Sequence, residues 1–174
     1  MSTNKISLLI AMVTLIVLSS AKKETEESYK EQIRNISSLP LVGGDTLTAE
    51  EIEGKLIILN FWASYDAASR INNYDLLRLN QSYQDKSFFE ADGLEVVSVS
   101  LDTYRSQLVK AIAADETQCF KHICDFKGTE SALCKSFDID GPVNILISTD
   151  GRVLARDYGV GKIESALATL HANN

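Results

Sequence analysis

Three cysteines, Cys119, Cys124 and Cys134, are the strongest nucleophiles in this chain of 174 residues, and His122 and His171 are its two imidazoles. Thiol chemistry needs an exposed, acidified thiolate or a pair of sulfurs close enough to exchange a disulfide. An odd count leaves at least one thiol unpaired within a monomer. The segment carrying Cys119 and Cys124 reads as extended, and five residues at about 3.3 Å each hold those sulfurs apart unless the chain bends. Cys124 with Cys134 is then the couple that spacing favours, as a disulfide or an unusual redox pair. The alternative, buried thiols acting as small hydrophobes, stays open.

Metal ligation would draw on Cys119, His122, Cys124 and Asp125, but on a strand Cys119 and His122 point to opposite faces, so no metal site is expected. Asp66 and Ser69 stand three apart, as a general base and a nucleophile might be sought, yet no histidine is placed by sequence to complete a relay. Asp66 followed by two alanines instead starts a helix. Its side chain accepts orphan backbone N–H groups and suits the positive end of the helix dipole. No cofactor is expected.

These residues need a scaffold, and the apolar pattern supplies one. Runs at 56–62 and 94–101 are continuous enough to be strands buried on both faces. Between them, 67–89 carries Ile71, Tyr74, Leu77 and Tyr83 at near-helical spacing, which makes a strand, helix, strand crossover. A second helix is expected over 104–114, with Leu108, Ala111 and Ile112 on one face. A short strand at 120–124 and a short helix at 131–137 lead to a hairpin, 143–148 with 152–158, whose turn holds Asp150 and Gly151. The amphipathic stretch 162–171, with Ile163, Ala166, Leu167 and Leu170, closes the chain. Ahead of the first strand, 39–55 reads as extended pieces around Gly43 and Gly44, then one helical turn begun by Thr48.

Residues 1–21 read as a secretory signal: Lys5, an apolar run over 6–18, then Ser19, Ser20 and Ala21. The run is shorter than the roughly 20 residues of a membrane span, so no span is expected after cleavage. Residues 22–38 form a charged tether and 39–174 a single domain. A formal net charge of −7 argues against nucleic acid or an anionic membrane as a partner.

The stretch 56–69, LIILNFWASYDAAS, resembles the active-site segment of the TlpA/ResA branch of the thioredoxin-like superfamily, where a strand ending in N-F-W-A-S runs into W-C-x-x-C at a helix start. VVSVSLD at 96–102, HICDFKG at 122–128 and NILISTDGRVLARDYG at 144–159 extend the resemblance, which covers 39–170 and reaches, more distantly, the AhpC/TSA peroxiredoxins. It implies an α/β thioredoxin-like fold, a central mixed β-sheet flanked by helices on both faces, and an exported, periplasmic or cell-envelope protein of thiol-disulfide oxidoreductase ancestry. Such proteins serve cell redox homeostasis. Here both cysteine positions are filled otherwise, by Asp66 and Ser69, and no cysteine near this helix start could be peroxidatic.

Further departures cluster nearby. Tyr65 replaces the second tryptophan, Asn72 an acidic residue and Tyr74 a helix-kinking proline, while Arg70 keeps the arginine. The resemblance also implies a cis-proline facing this loop, for which Pro142 is the only candidate, on an approach (137–142) one residue shorter than usual. The expectation is therefore a module that has lost dithiol-disulfide activity and binds a protein or peptide in a groove formed by Trp62, Tyr65, Asp66 and Pro142. The alternative is an oxidoreductase or antioxidant protein using Cys124 and Cys134.

Overall fold

The computed structural model describes residues 39–172 together with Glu31 and Ile36; the expected signal segment and the rest of the expected tether lie outside the described residues. A one-turn helix, α1 (Ala49–Ile52), precedes strand β1 (Lys55–Trp62). Helix α2 (Ala67–Tyr83), β2 (Gly93–Ser100), α3 (Arg105–Ala114) and β3 (Lys121–Ile123) follow. A 3-10 turn (Gly128–Glu130) and α4 (Ala132–Ser136) lead into β4 (Val143–Ile147), β5 (Val153–Asp157) and α5 (Gly161–Ala172). Among the described residues, no helix is long and apolar enough to cross a membrane.

The strands form one sheet in the order β3-β2-β1-β4-β5. β1 pairs parallel with β2 and antiparallel with β4, so the sheet is mixed and β1 is its centre. Seven of the eight β1 residues are buried, as a strand covered on both faces requires. One face, with Ile57, Leu59, Phe61 and Val97, packs on Ile36, Leu47, Cys134 and Phe137. The other, with Leu56, Ile58, Val96 and Leu146, packs on Leu76, Leu77 and Leu79 of α2 and on Ile163 and Leu167 of α5. Leu108, Ala111 and Ile112 of α3 close around Trp62. The expected hairpin is present; Gly151 takes φ +86 in its turn, where a side chain would be strained.

Helix α2 departs from expectation twice. It ends at Tyr83 rather than near 89, because Phe88 and Ala91 bond to each other across a tight turn that holds Glu90 at φ +61. Its inward face also differs. Ile71 and Tyr74, expected in the core, are 68% and 59% exposed, while Ser69 and Asn73 are buried. The first two turns face a polar part of the sheet, where hydrogen bonding outweighs apolar spacing.

Candidate functional site

Strand β1 delivers the chain from the sheet centre directly to the start of α2. Asp66 is the N-cap: its backbone is extended (φ −97, ψ 114), and the N–H of Ser69 donates to its Oδ1 at 2.6 Å. Ser69, 2% exposed, accepts in turn from the N–H of Ala63 at 3.4 Å. The two residues thus knit the 63–66 loop onto the first helical turn. Asp66 Oδ1 and Ser69 Oγ each already have a structural hydrogen bond, and the hydrogen bonds and ring contacts of both histidines go to other residues, which leaves this pair without a base to activate a nucleophile.

Beneath the loop lies Asp102, 1% exposed, just after β2. It accepts from Ser64 N–H at 3.1 Å, from Ser64 Oγ and from Ser100 Oγ at 2.6 Å. Behind α2, Arg70 pairs with Asp115, Asp115 accepts from Asn73 at 3.2 Å, and Asn73 accepts from Asn60 Nδ2 at 3.0 Å. The strand registers place Asn60 in a polar row across all five strands: Asp157, Asn144, Asn60, Ser98 and His122. Sequence reasoning missed this row and Asp102. Asn60, Ser98 and Asn144 interrupt otherwise apolar runs, the one signal that could have found them.

His122 ends the row. It is buried, its Nε2 bonds the Thr117 carbonyl at 2.7 Å, and desolvation pushes its pKa below the ordinary value despite that bond. A histidine held neutral in the fold but free to protonate when unfolded withdraws stability as pH falls below its unfolded pKa, about 6.5, until the folded pKa is reached. The loss cannot exceed about 1.4 kcal/mol per pH unit. Thermal melts from pH 7 to 5 are expected to show a decline in the wild type that His122→Gln flattens. Equal slopes in both proteins would remove His122 as the cause. His171 is exposed but bonds Ser87 O at 3.0 Å and sets its ring edge against Tyr83 and Phe88.

The expected groove needs correction. Trp62 is fully buried against Val42 and α3, because β1 turns that side chain inward, so it cannot line an open surface. The described residues contain no cis peptide bond, so Gly141–Pro142 is trans, the ordinary preference of X-Pro bonds. Pro142 nonetheless stands beside the end of β1, since Val143 pairs with Phe61. Tyr65 is 71% exposed and overhangs a cleft of about 440 Å³ that runs toward α3, lined also by Ser64, Arg70, Gln107 and Lys110.

All three thiols are free; the Cys124–Cys134 disulfide is not formed. Cys124 donates to Asp102 O at 3.4 Å and Cys134 to Gly128 O at 3.6 Å. Burial pushes each thiol's pKa up, that of Cys134 to about 11, and Cys124 lies within electrostatic reach of Cys134. Raised values disfavour the thiolate on which exchange depends. Iodoacetamide at pH 8 is expected to modify exposed Cys119 first and Cys134 only on unfolding, as peptide mapping by mass spectrometry would show. Rapid labelling of native Cys134 would contradict the structure.

A five-stranded mixed sheet with helices on both faces, and a capped helix springing from the end of its central strand, defines a thioredoxin-like α/β fold. No protein-family profile and no curated protein matches the sequence. Solved structures do. A thiol-disulfide oxidoreductase from Bacteroides fragilis is 33% identical, with 76% of this chain covering 95% of that one at a TM-score of 0.67. A thioredoxin-like protein from Parabacteroides distasonis is 29% identical (66% of this chain, 81% of that one, TM-score 0.55). The thioredoxin domain of a thiol-disulfide oxidoreductase from Bacteroides vulgatus, 20% identical over 76% of this chain and 90% of that one, shares the fold at a TM-score of 0.64. The chain belongs to the thiol-disulfide oxidoreductase family of thioredoxin-like fold.

Proposed function

We propose that this chain is an exported, non-catalytic member of that family, a module that binds a protein or peptide at the surface around Tyr65, Asp66 and Pro142. One observation carries the reading: both positions where the TlpA/ResA pattern has sulfur hold oxygen side chains, Asp66 and Ser69, and both are engaged in starting α2. Neither can form a mixed disulfide, the intermediate through which thiol exchange proceeds. Exposed Tyr65, Ile71 and Tyr74 offer apolar contact around the same helix start. Export rests on the pattern of residues 1–21.

Insulin reduction by dithiothreitol, followed with and without the purified protein, tests the loss of activity. The expected rate is that of dithiothreitol alone. Turnover comparable to the Bacteroides fragilis relative, assayed alongside, would overturn the reading. A displaced redox pair is the second reading, favoured only by the electrostatic proximity of Cys124 and Cys134. It requires that any activity vanish in Cys124→Ser and Cys134→Ser, and the raised thiol pKa values oppose it.

A further inference from the structure

We infer that Asn60 of β1 and Asn144 of β4 together bind one internal water molecule, a structural ligand at the centre of the sheet. The two residues are direct partners in the antiparallel β1–β4 register, and both are 0% exposed. Such partners share one face of the sheet and hold their Cβ atoms about 4.5–5.5 Å apart. On each, Oδ1 is buried and has no hydrogen-bond donor among the described residues.

Their partners fix which end of each amide is which. Asp115, ion-paired to Arg70 and so an acceptor only, takes a hydrogen bond from Asn73 Nδ2 at 3.2 Å. Asn73 is thereby left with Oδ1 as the acceptor for Asn60 Nδ2, at 3.0 Å. Asn144 Nδ2 donates to two carbonyls, Gly159 O at 3.0 Å and Tyr158 O at 3.4 Å, and carbonyls only accept. Both nitrogens also point outward along the row. Asn60 Nδ2 reaches Ser98 Oγ on β2 at 3.4 Å, while Asn144 Nδ2 reaches the chain just beyond β5. In a sheet ordered β2-β1-β4-β5, both oxygens are then turned toward the gap between β1 and β4.

Two amide oxygens aimed at one buried gap repel each other, and a buried acceptor without a donor is costly. The adjacent pair on this face, Ile58 and Leu146, and the residues packed over it, Leu77 and Ile163 among them, have no donor to offer. What the gap selects is a small neutral molecule that donates twice. Water has two O–H donors, and internal waters make about two to four hydrogen bonds to groups of this kind. Held there, it ties β4 to β1 at the residue from which Asn60 reaches α2 through Asn73.

A high-resolution crystal structure of the protein is expected to show a single water within about 3.2 Å of both Oδ1 atoms. Oxygen-17 relaxation dispersion reads the same site in solution, because it detects water molecules held inside a protein for longer than nanoseconds. Asn60→Leu and Asn144→Leu nearly keep the side-chain shape and each remove one of the two acceptors. Each folded variant is expected to hold one long-lived water fewer than the wild type. Two oxygens that share no water, an amide nitrogen of one residue turned to the oxygen of the other, or an undiminished water count in a folded variant would each overturn the assignment. The crystallographic arm needs no substitution, so it decides the question even if neither variant folds.

Discussion

The double substitution Asp66→Cys with Ser69→Cys is expected to yield a protein that accelerates the reduction of insulin by dithiothreitol well beyond the wild type. The loop already brings the two positions together, since the Asp66 carboxylate reaches the Ser69 amide at 2.6 Å across the first helical turn. A sulfur at position 66 would meet unpaired backbone N–H groups and the positive end of the α2 dipole. Such placement lowers a thiol pKa from about 8.5 to about 7, which raises the thiolate share at pH 7 from about 3% to about 50%. The second sulfur, at a position 2% exposed, would be sheltered until the first is engaged, as a resolving thiol must be. Losing the Asp66 cap costs about 1 kcal/mol, too little to unfold a domain of this size. The checks are insulin turbidity and a mass decrease of one disulfide on oxidation. A folded double variant that never oxidises would show that the loop no longer has the geometry for exchange.

The fold was legible because burial on both faces of a parallel strand leaves an unbroken apolar run, as at 56–62 and 94–101, and because Asp150 and Gly151 mark a hairpin turn. Helix ends at Thr48 and Asp66 were legible too, since capping is local chemistry. The inward face of α2 was not. Ile71 and Tyr74 obey helical apolar spacing, but the sheet beneath them presents Asn60, and Asn73 turns inward to bond it. Trp62 misled for a related reason. Its place in a motif suggested an exposed groove, whereas strand alternation puts it with Leu56, Ile58 and Asn60 on the helix-covered face, where α3 closes over it. Asp102 and Asp115 were silent because the contacts that tie them to the site, to Ser64 and to Arg70, span 38 and 45 positions, a proximity only folding reveals.

Asp102→Ala is expected to produce the largest loss of stability among single substitutions near the site. The carboxylate is 1% exposed and satisfies three donors, Ser64 N–H and Oγ–H from the half-buried loop and Ser100 Oγ–H from the buried strand end. Truncation leaves those groups without an acceptor; an unsatisfied buried donor costs about 1–3 kcal/mol and the half-buried Ser64 donors cost less, so a total of about 4 kcal/mol is the expected upper value. In a domain of this length that lowers the melting temperature by about 10 °C. Asp102→Asn keeps one acceptor oxygen but turns an amide N–H₂ toward donors, so it should fall between Ala and the wild type. The same order is expected for insulin reduction when these changes are placed in the Asp66→Cys/Ser69→Cys background, because Ser64 is the point at which Asp102 holds the loop. If both Asp102 variants melted within about 2 °C of the wild type, less than a single such bond is worth, the carboxylate could not be what anchors the 63–66 turn to the sheet.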